Sequence, residues 1–202
     1  MKTEITRDDI MAMDAYATVR AERRRAVAAA KRTRRLEVGP FATFYFESHT
    51  TMLHQIHEML FIEKGGEAQI EDELRAYNPL VPKGDELVAT IMFEIDEKPR
   101  RDAILRRLGG IERHILLTID GERVETRPEE DVDRTSAEGK ASAVQFVHFR
   151  LNPRQIAAFR RPGTQIVLGF DHPEYGHMAL VPEAVRATLA EDFAPADADA
   201  GA

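Results

Sequence analysis

Three histidines and two carboxylates are concentrated in residues 47–60, whose sequence is Glu-Ser-His-Thr-Thr-Met-Leu-His-Gln-Ile-His-Glu-Met-Leu. His54 and Glu58 are four residues apart, and residues at that spacing lie one above the other on a helix. An imidazole and a carboxylate placed in this way can share a proton or a divalent metal such as iron or zinc. His57 lies next to this pair and is a further candidate ligand.

Two ligands on one helix do not complete a metal site, so a further ligand has to come from elsewhere. Candidates are Glu47, His49 and the pair Asp171 and His172. The helix lacks the His-Glu-x-x-His order of a metalloprotease. Its histidines and Glu58 also lie opposite an apolar arc, so a solvated polar face is the alternative interpretation.

The segment Asp171-His172-Pro173 follows a predicted strand, where functional side chains are often displayed. Pro173 favours an extended His172, and Asp171 can orient an imidazole. The alternative is a turn in which Asp171 accepts hydrogen bonds from nearby backbone amides.

Charge is distributed unevenly along the chain. The net charge is −7, from 28 basic and 35 acidic residues, yet residues 20–35 hold eight basic side chains and one acid. The remaining 20 basic and 34 acidic residues therefore carry −14. A basic helix can contact phosphates, but this one has no aromatic residues to stack on bases. Pairing with carboxylates of the same chain or of a second subunit is the alternative. The candidate contacts to an anion or partner are Arg23, Arg24, Arg32 and Arg35.

The composition excludes several classes of protein. With 202 residues and 43% hydrophobic content, the chain can bury a core. It has no cysteine, which rules out disulfide scaffolds, thiolate metal sites and cysteine nucleophiles. There is no apolar run of membrane-spanning length, so we expect a cytoplasmic protein that does not associate with membranes. Phosphate-binding loops, nucleotide fingerprints and nucleophile elbows are also absent, so no catalytic motif is assembled.

Hydrophobic periodicity predicts an α+β fold in which helices pack on a mostly antiparallel sheet of about five to seven strands. The clearest hairpin has Asp120-Gly121 at its turn, because this dipeptide readily adopts positive φ angles. We expect a basic helical arm over 1–38, a single α+β domain over 39–193 and a disordered Ala/Asp tail over 194–202. Helices are predicted at 21–36, 50–63 and 67–77, and strands at 41–47, 87–95, 143–151 and 164–170.

Four segments together resemble one bacterial family, the one known as domain of unknown function 3501. They are Gln55–Leu60, Glu73–Pro82, Leu87–Thr90 and Asp171–Tyr175, and the stretch Ala-Tyr-Asn-Pro-Leu in the second is the most specific. The resemblance covers nearly the whole chain and implies no established activity. Because genes of the family are associated with those of rubrerythrin-like and iron–sulfur proteins, it implies a redox-protein partner and a role beside iron or peroxide metabolism. It also favours Glu58 and the Asp171–His172 pair over the helix histidines.

These observations lead to an ordered set of expectations. The first is a non-enzymatic accessory or binding protein that acts as a homodimer. The alternative is a metal-binding redox accessory protein that uses Glu58, His54 and His172. A nucleic-acid binder that uses the basic arm is the third and least expected function.

Overall fold

A computed structural model describes residues 2–129 and 139–195 of the chain. The described residues form six α-helices and nine strands. The helices are Met13–Ala30 (α1), His49–Glu63 (α2), Glu67–Tyr77 (α3), Lys98–Arg107 (α4), Pro153–Arg160 (α5) and Glu183–Leu189 (α6). The strands are Arg35–Val38 (β1), Ala42–Phe46 (β2), Glu86–Phe93 (β3), Ile115–Ile119 (β4), Glu122–Arg123 (β5), Glu125–Pro128 (β6), Val144–Arg150 (β7), Ile166–His172 (β8) and Tyr175–Leu180 (β9).

The strands form two antiparallel sheets. The first sheet has the order β1-β2-β3-β7-β6, and the second has the order β5-β4-β8-β9. The predicted α+β class and antiparallel pairing are therefore confirmed, although the strands divide between two sheets instead of forming one. The division follows from the need of each sheet to bury an apolar face, which here is met by packing the two sheets together.

Alternation along the strands gives the first sheet two different faces. On β3, Leu87, Ala89, Ile91 and Phe93 belong to the large core shared with the second sheet. We call this the inner face. Val88 points the other way, toward α2 and α3, and belongs to a smaller core on what we call the outer face. The smaller core also contains Met52, Ile56, Leu60, Ile70 and Leu74.

Local sequence signals set several element boundaries. Ser48 caps α2 by accepting a hydrogen bond from the Thr51 amide at 3.3 Å, while the Ser48 amide donates to the Thr51 hydroxyl at 2.9 Å. Asp120 and Gly121 have φ angles of 48° and 83°, so the predicted hairpin between β4 and β5 is confirmed. The bounds predicted for α3 match those of the structure, and α2 begins one residue earlier than predicted.

The N-terminal region differs from the prediction. The basic helix α1 begins at Met13 and ends at Ala30, and the segment predicted as its last turn forms strand β1. The Phe46 amide donates to the Arg34 carbonyl at 2.8 Å, which leads the chain into the sheet. Ile5 and Ile10, before α1, are buried in the smaller core. Most of the predicted tail, 194–202, lies outside the described residues.

Within residues 2–129 and 139–195, we find no helix that is both long enough and apolar enough to traverse a bilayer.

Candidate functional site

The outer face of the first sheet is only partly covered by helices, and a pocket of about 220 Å³ opens beside them. Strand pairing places Tyr45 beside Thr90 and Thr90 beside Phe146, so these three side chains form one row across β2, β3 and β7. Met92 and Val144 are paired in the next row. Because residues two apart on a strand share a face, both rows lie on the floor of this sheet pocket.

The walls of the sheet pocket come from the helical layer. Met52 and Gln55 project from α2, which begins directly after β2. Tyr77 ends α3, and Leu80 lies in the 3₁₀ turn that follows it. Burial raises the pKa of the Tyr77 hydroxyl, partly offset by a hydrogen bond from Gln55. Lys31, just past the end of α1, completes the lining.

Glu47 gives the sheet pocket its buried charge. The residue is 4% exposed and stands between the end of β2 and the cap of α2. One carboxylate oxygen accepts a hydrogen bond from the Thr90 hydroxyl at 2.7 Å, and the other accepts from the Thr51 hydroxyl at 2.6 Å. Within the described residues, no Lys, Arg or His nitrogen lies within 4.0 Å of this carboxylate. Glu47 is thus held by neutral donors alone.

Glu58, the carboxylate of the predicted helix pair, is engaged by α1. Arg20 binds it through two nitrogens at 2.8 and 2.9 Å, and the Tyr16 hydroxyl donates to it at 2.8 Å. The Arg20 hydrogen bonds hold the pKa of Glu58 at about 2, well below its ordinary value. Arg20 also lies over the Phe61 ring at 4.5 Å. This arrangement joins α1 to α2.

The two helix histidines also contact α1 or the segment before it. His57 is 1% exposed, stacks on Tyr16 at 4.7 Å, accepts from the Met11 amide at 3.0 Å and donates to the Leu53 carbonyl at 2.8 Å. His54 Nδ1 lies 3.3 Å from the Tyr16 hydroxyl. Burial lowers the pKa of both histidines. The solvated polar face considered from the sequence is therefore wrong for His57, because α1 covers it.

Asp171 and His172 lie on β8 in the second sheet, away from α2. Asp171 and His172 were predicted to follow a strand, but they form its end, and Pro173 and Glu174 make the tight turn into β9. Asp171 contacts His114 at 2.9 Å and Arg123 at 3.3 Å, and the His114 hydrogen bond lowers the pKa of Asp171. His172 Nδ1 accepts from the Glu174 amide at 3.1 Å, and its Nε2 lies 3.3 Å from the Gly109 carbonyl.

The structure thus does not bring the predicted metal ligands together. His54, His57 and Glu58 lie on α2 beneath α1, whereas Asp171 and His172 lie on a strand of the other sheet. In the described part of the chain, no group of three or more His, Cys, Asp or Glu side chains is arranged to hold a metal ion.

The basic residues of the arm fall into two groups. Arg20 pairs with Glu58, Arg34 forms a buried pair with Asp192 at 2.5 Å, and Arg35 pairs with Glu37. Of the predicted partner contacts, Arg23, Arg24 and Arg32 have no carboxylate within 4.0 Å in the described ranges. Self-pairing therefore accounts for part of the basic arm only.

A second polar cluster lies on the outer face, around His148. His148 on β7 contacts Glu86 at 3.0 Å through Nδ1 and Glu129 at 2.9 Å through Nε2. Burial lowers the pKa of His148, but the hydrogen bonds and charges of Glu86 and then Glu129 outweigh burial and raise it above its ordinary value. The two ring nitrogens point in opposite directions, so the cluster is an ion-pair bridge between strands.

The sheet pocket was not predicted from the sequence, although the alternation along the strands indicates which residues form its floor. Alternation on the predicted strands already places Tyr45, Thr90 and Phe146 opposite the inner core residues. Glu47 entered only as a possible extra metal ligand. What the sequence could not show is which part of the outer face the helices leave uncovered.

Comparison with known proteins identifies a family and a similar solved structure. A family model described as "Protein of unknown function (DUF3501)" matches residues 4–193. The chain is 39% identical to a protein of unknown function from Burkholderia pseudomallei K96243, known from a crystal structure at 1.90 Å resolution. The match covers 94% of this chain and 99% of that one, with a TM-score of 0.87. No curated protein matches the chain.

Proposed function

Because the chain belongs to the DUF3501 family of proteins of unknown function, its own geometry has to supply a function, and we propose that it is a non-enzymatic accessory protein that binds a small molecule in the sheet pocket. The observation that carries this proposal is a concave, largely apolar pocket with one buried carboxylate. Sites for small molecules typically combine apolar walls with a few well-placed polar groups.

The size of the sheet pocket limits what can enter it. A cavity of roughly 150 Å³ holds benzene, so about 220 Å³ suits a compound somewhat larger than benzene. The floor row Tyr45, Thr90 and Phe146 is fixed by the strand register, which favours a preformed site. A preformed site loses less conformational entropy on binding.

The lining supports binding over catalysis. The described residues around the sheet pocket include no histidine, aspartate, serine or cysteine. Both carboxylate oxygens of Glu47 are held by threonine hydroxyl groups. We therefore expect a bound compound to be released unchanged.

The test is a binding screen with a pocket-filling variant. Compounds of about ten non-hydrogen atoms, a size set by the benzene comparison, are added to ¹⁵N-labelled protein, and the amide signals of Thr90 and Phe146 are followed. Val144→Phe fills the floor and should abolish the shifts. Leu180→Phe places the same side chain on β9, at a residue that is 63% exposed, and should leave them intact.

The screen contradicts the proposal if no compound shifts the pocket signals, or if Val144→Phe binds as well as the wild type. Mass spectrometry of the recovered compounds checks the non-enzymatic part. Chemical conversion that depends on an intact sheet pocket would overturn it.

The homodimer, the metal-binding redox function and nucleic-acid binding stay predictions with separate measurements. Light scattering on the purified protein measures its oligomeric state. Elemental analysis of untagged wild type and Glu58→Ala tests for a metal, although Arg20 and Tyr16 already occupy that carboxylate. Nucleic-acid binding through Arg23, Arg24 and Arg32 should weaken steeply with salt.

A further inference from the structure

The charge of Glu47 has no cationic partner within the described residues, and this absence points to the ligand. A buried carboxylate is strongly destabilising unless it is paired and hydrogen-bonded. Thr51 and Thr90 supply two neutral hydrogen bonds, but hydroxyl groups bring no opposite charge. A cation brought by the ligand would provide it.

The Glu47 carboxylate also has unused hydrogen-bonding capacity. An ionised carboxylate offers about four acceptor positions, and each Glu47 oxygen accepts one hydroxyl hydrogen bond. The residue lines the sheet pocket, so a donor inside the pocket can reach it. N–H donors that carry charge form the strongest bonds of this type.

Aromatic rings around the Glu47 carboxylate favour the same class of ligand. Tyr45 and Phe146 lie on the floor, and Tyr77 lies on a wall. The faces of aromatic rings attract cations, most strongly where the cation is desolvated. The rings also provide apolar surface for the rest of a small organic molecule.

Lys31 offers a competing interpretation, because its ammonium group lines the same pocket and would attract an anion. However, Lys31 lies at the end of α1, whereas Glu47 is fixed at the end of a sheet strand by two short hydrogen bonds. The buried and fixed charge should dominate over a flexible one. Substitution of Lys31 therefore tests whether the ligand carries a positive or a negative charge.

We propose, on the basis of the small-molecule function argued above, that the sheet pocket takes a small primary organic ammonium ion. Its ammonium group donates to Glu47, and its apolar body lies over the row of Tyr45, Thr90 and Phe146. The proposal names the chemical class of the ligand, which the general binding screen leaves open.

The experiment compares four small probes by calorimetric or NMR titration. They are 2-phenylethylammonium, n-butylammonium, neutral 2-phenylethanol and anionic 3-phenylpropionate. In the wild type, 2-phenylethylammonium should bind at least about tenfold more tightly than 2-phenylethanol, because a hydrogen bond to a charged group is roughly twice as strong as one between neutral groups. This comparison requires no variant, so a folding defect cannot obscure it.

Three variants locate the charge preference. Glu47→Gln should remove the preference for the ammonium probe while 2-phenylethanol binds as before. Glu94→Gln is the matched control, because Glu94 is an exposed carboxylate bound by Thr43 and Tyr45, and it should keep the preference. Lys31→Met removes a like charge, so it should leave ammonium binding unchanged or tighter.

Several results would overturn this inference while the binding function stands. One is equal affinity for 2-phenylethanol and 2-phenylethylammonium, with both lost in Val144→Phe. Another is tightest binding of 3-phenylpropionate that disappears in Lys31→Met. If none of the four probes and no compound of the wider screen binds, the proposed function itself fails.

Discussion

The two faces of the first sheet use the same strands for different purposes. Leu87, Ala89 and Ile91 on the inner face of β3 are at most 1% exposed and pack against the second sheet. The outer face of β3 carries the residues that alternate with them, which are Glu86, Val88, Thr90 and Met92. Two of these are polar: Thr90 donates to Glu47, and Glu86 contacts His148. The comparison indicates that the inner face holds the sheets together, whereas the outer face carries polar groups available for binding.

The largest expected difference is between two phenylalanines on β7. Phe149 is fully buried on the inner face, so Phe149→Ala should lower the free energy of unfolding by about 4 kcal/mol. Phe146 is half-buried on the floor of the sheet pocket, so Phe146→Ala should cost about 1–2 kcal/mol. Chemical denaturation measures both values. Equal losses would contradict the functional division between the faces.

A second test compares two adjacent arginines at the entrance to β1. Arg34 binds Asp192 in a buried pair and donates to the Glu47 carbonyl at 3.2 Å. Burial raises the pKa of Asp192 despite the opposing effect of Arg34. Arg34→Met should therefore cost about 3 kcal/mol, and protonation of Asp192 should limit the loss. Arg35→Met, at an exposed pair with Glu37, should change stability by less than about 0.5 kcal/mol.

Chemical denaturation of both arginine variants at neutral pH tests the contrast between them. A loss below about 1 kcal/mol for Arg34→Met would mean that the buried pair does not stabilise the fold.

The third prediction concerns the contact between α1 and α2. Glu58 has a pKa near 2 in the folded protein, against an ordinary value of 4.5. A lowered pKa stabilises the fold above the ordinary value, and the contribution is lost as pH falls from 4.5 toward 2. Glu58→Gln should cost about 1 kcal/mol at pH 7, since the pair with Arg20 is partly exposed. The difference from wild type should shrink at pH 3.5.

The matched control for Glu58→Gln is Glu63→Gln, on the same helix at an exposed position. It should show no comparable loss and no convergence with the wild type at low pH. A Glu58→Gln deficit that is independent of pH would mean that packing, and not charge, joins the two helices.

The smallest effect expected is a pH dependence at His148. Its pKa is raised in the folded protein by Glu86 and Glu129 against the effect of burial. The stabilisation is therefore fully present below pH 6.5, the ordinary value, and is lost as pH rises through the folded pKa. NMR titration of the imidazole should place His148 above 6.5 and His54 below it, because burial lowers the pKa of His54. The reverse order would contradict the assignment.

Sequence patterns predicted those features that depend on neighbouring residues. The α3 bounds, the Asp120-Gly121 turn and the alternation of Leu87, Ala89, Ile91 and Phe93 follow from helix periodicity, turn conformation and strand pleating. Patterns of this kind do not reveal which distant groups meet. His57 looked solvated because nothing local shows that α1 lies over it. The split into two sheets likewise depends on contacts between remote strands.

The candidate site was predictable to a smaller extent. Glu47 and Glu58 were both named from the sequence as possible ligands, yet the structure gives them different surroundings. Arg20 neutralises Glu58 from α1, whereas Glu47 meets only hydroxyl groups among the described residues. Charge counting cannot distinguish the two carboxylates, because the distinction depends on which arginine reaches which acid in three dimensions.

The buried pair of Arg34 and Asp192 also has a consequence for the order of events during synthesis. The two residues are 158 positions apart, so at 5–20 residues per second a ribosome needs roughly 8–30 s to produce the second after the first. During this interval the Arg34 guanidinium, which also donates to the Glu47 carbonyl, lacks its carboxylate. The last 3₁₀ turn of the described chain, Ala190–Asp192, therefore completes the surroundings of Arg34 late, and ligand binding should begin only after Asp192 has been synthesised.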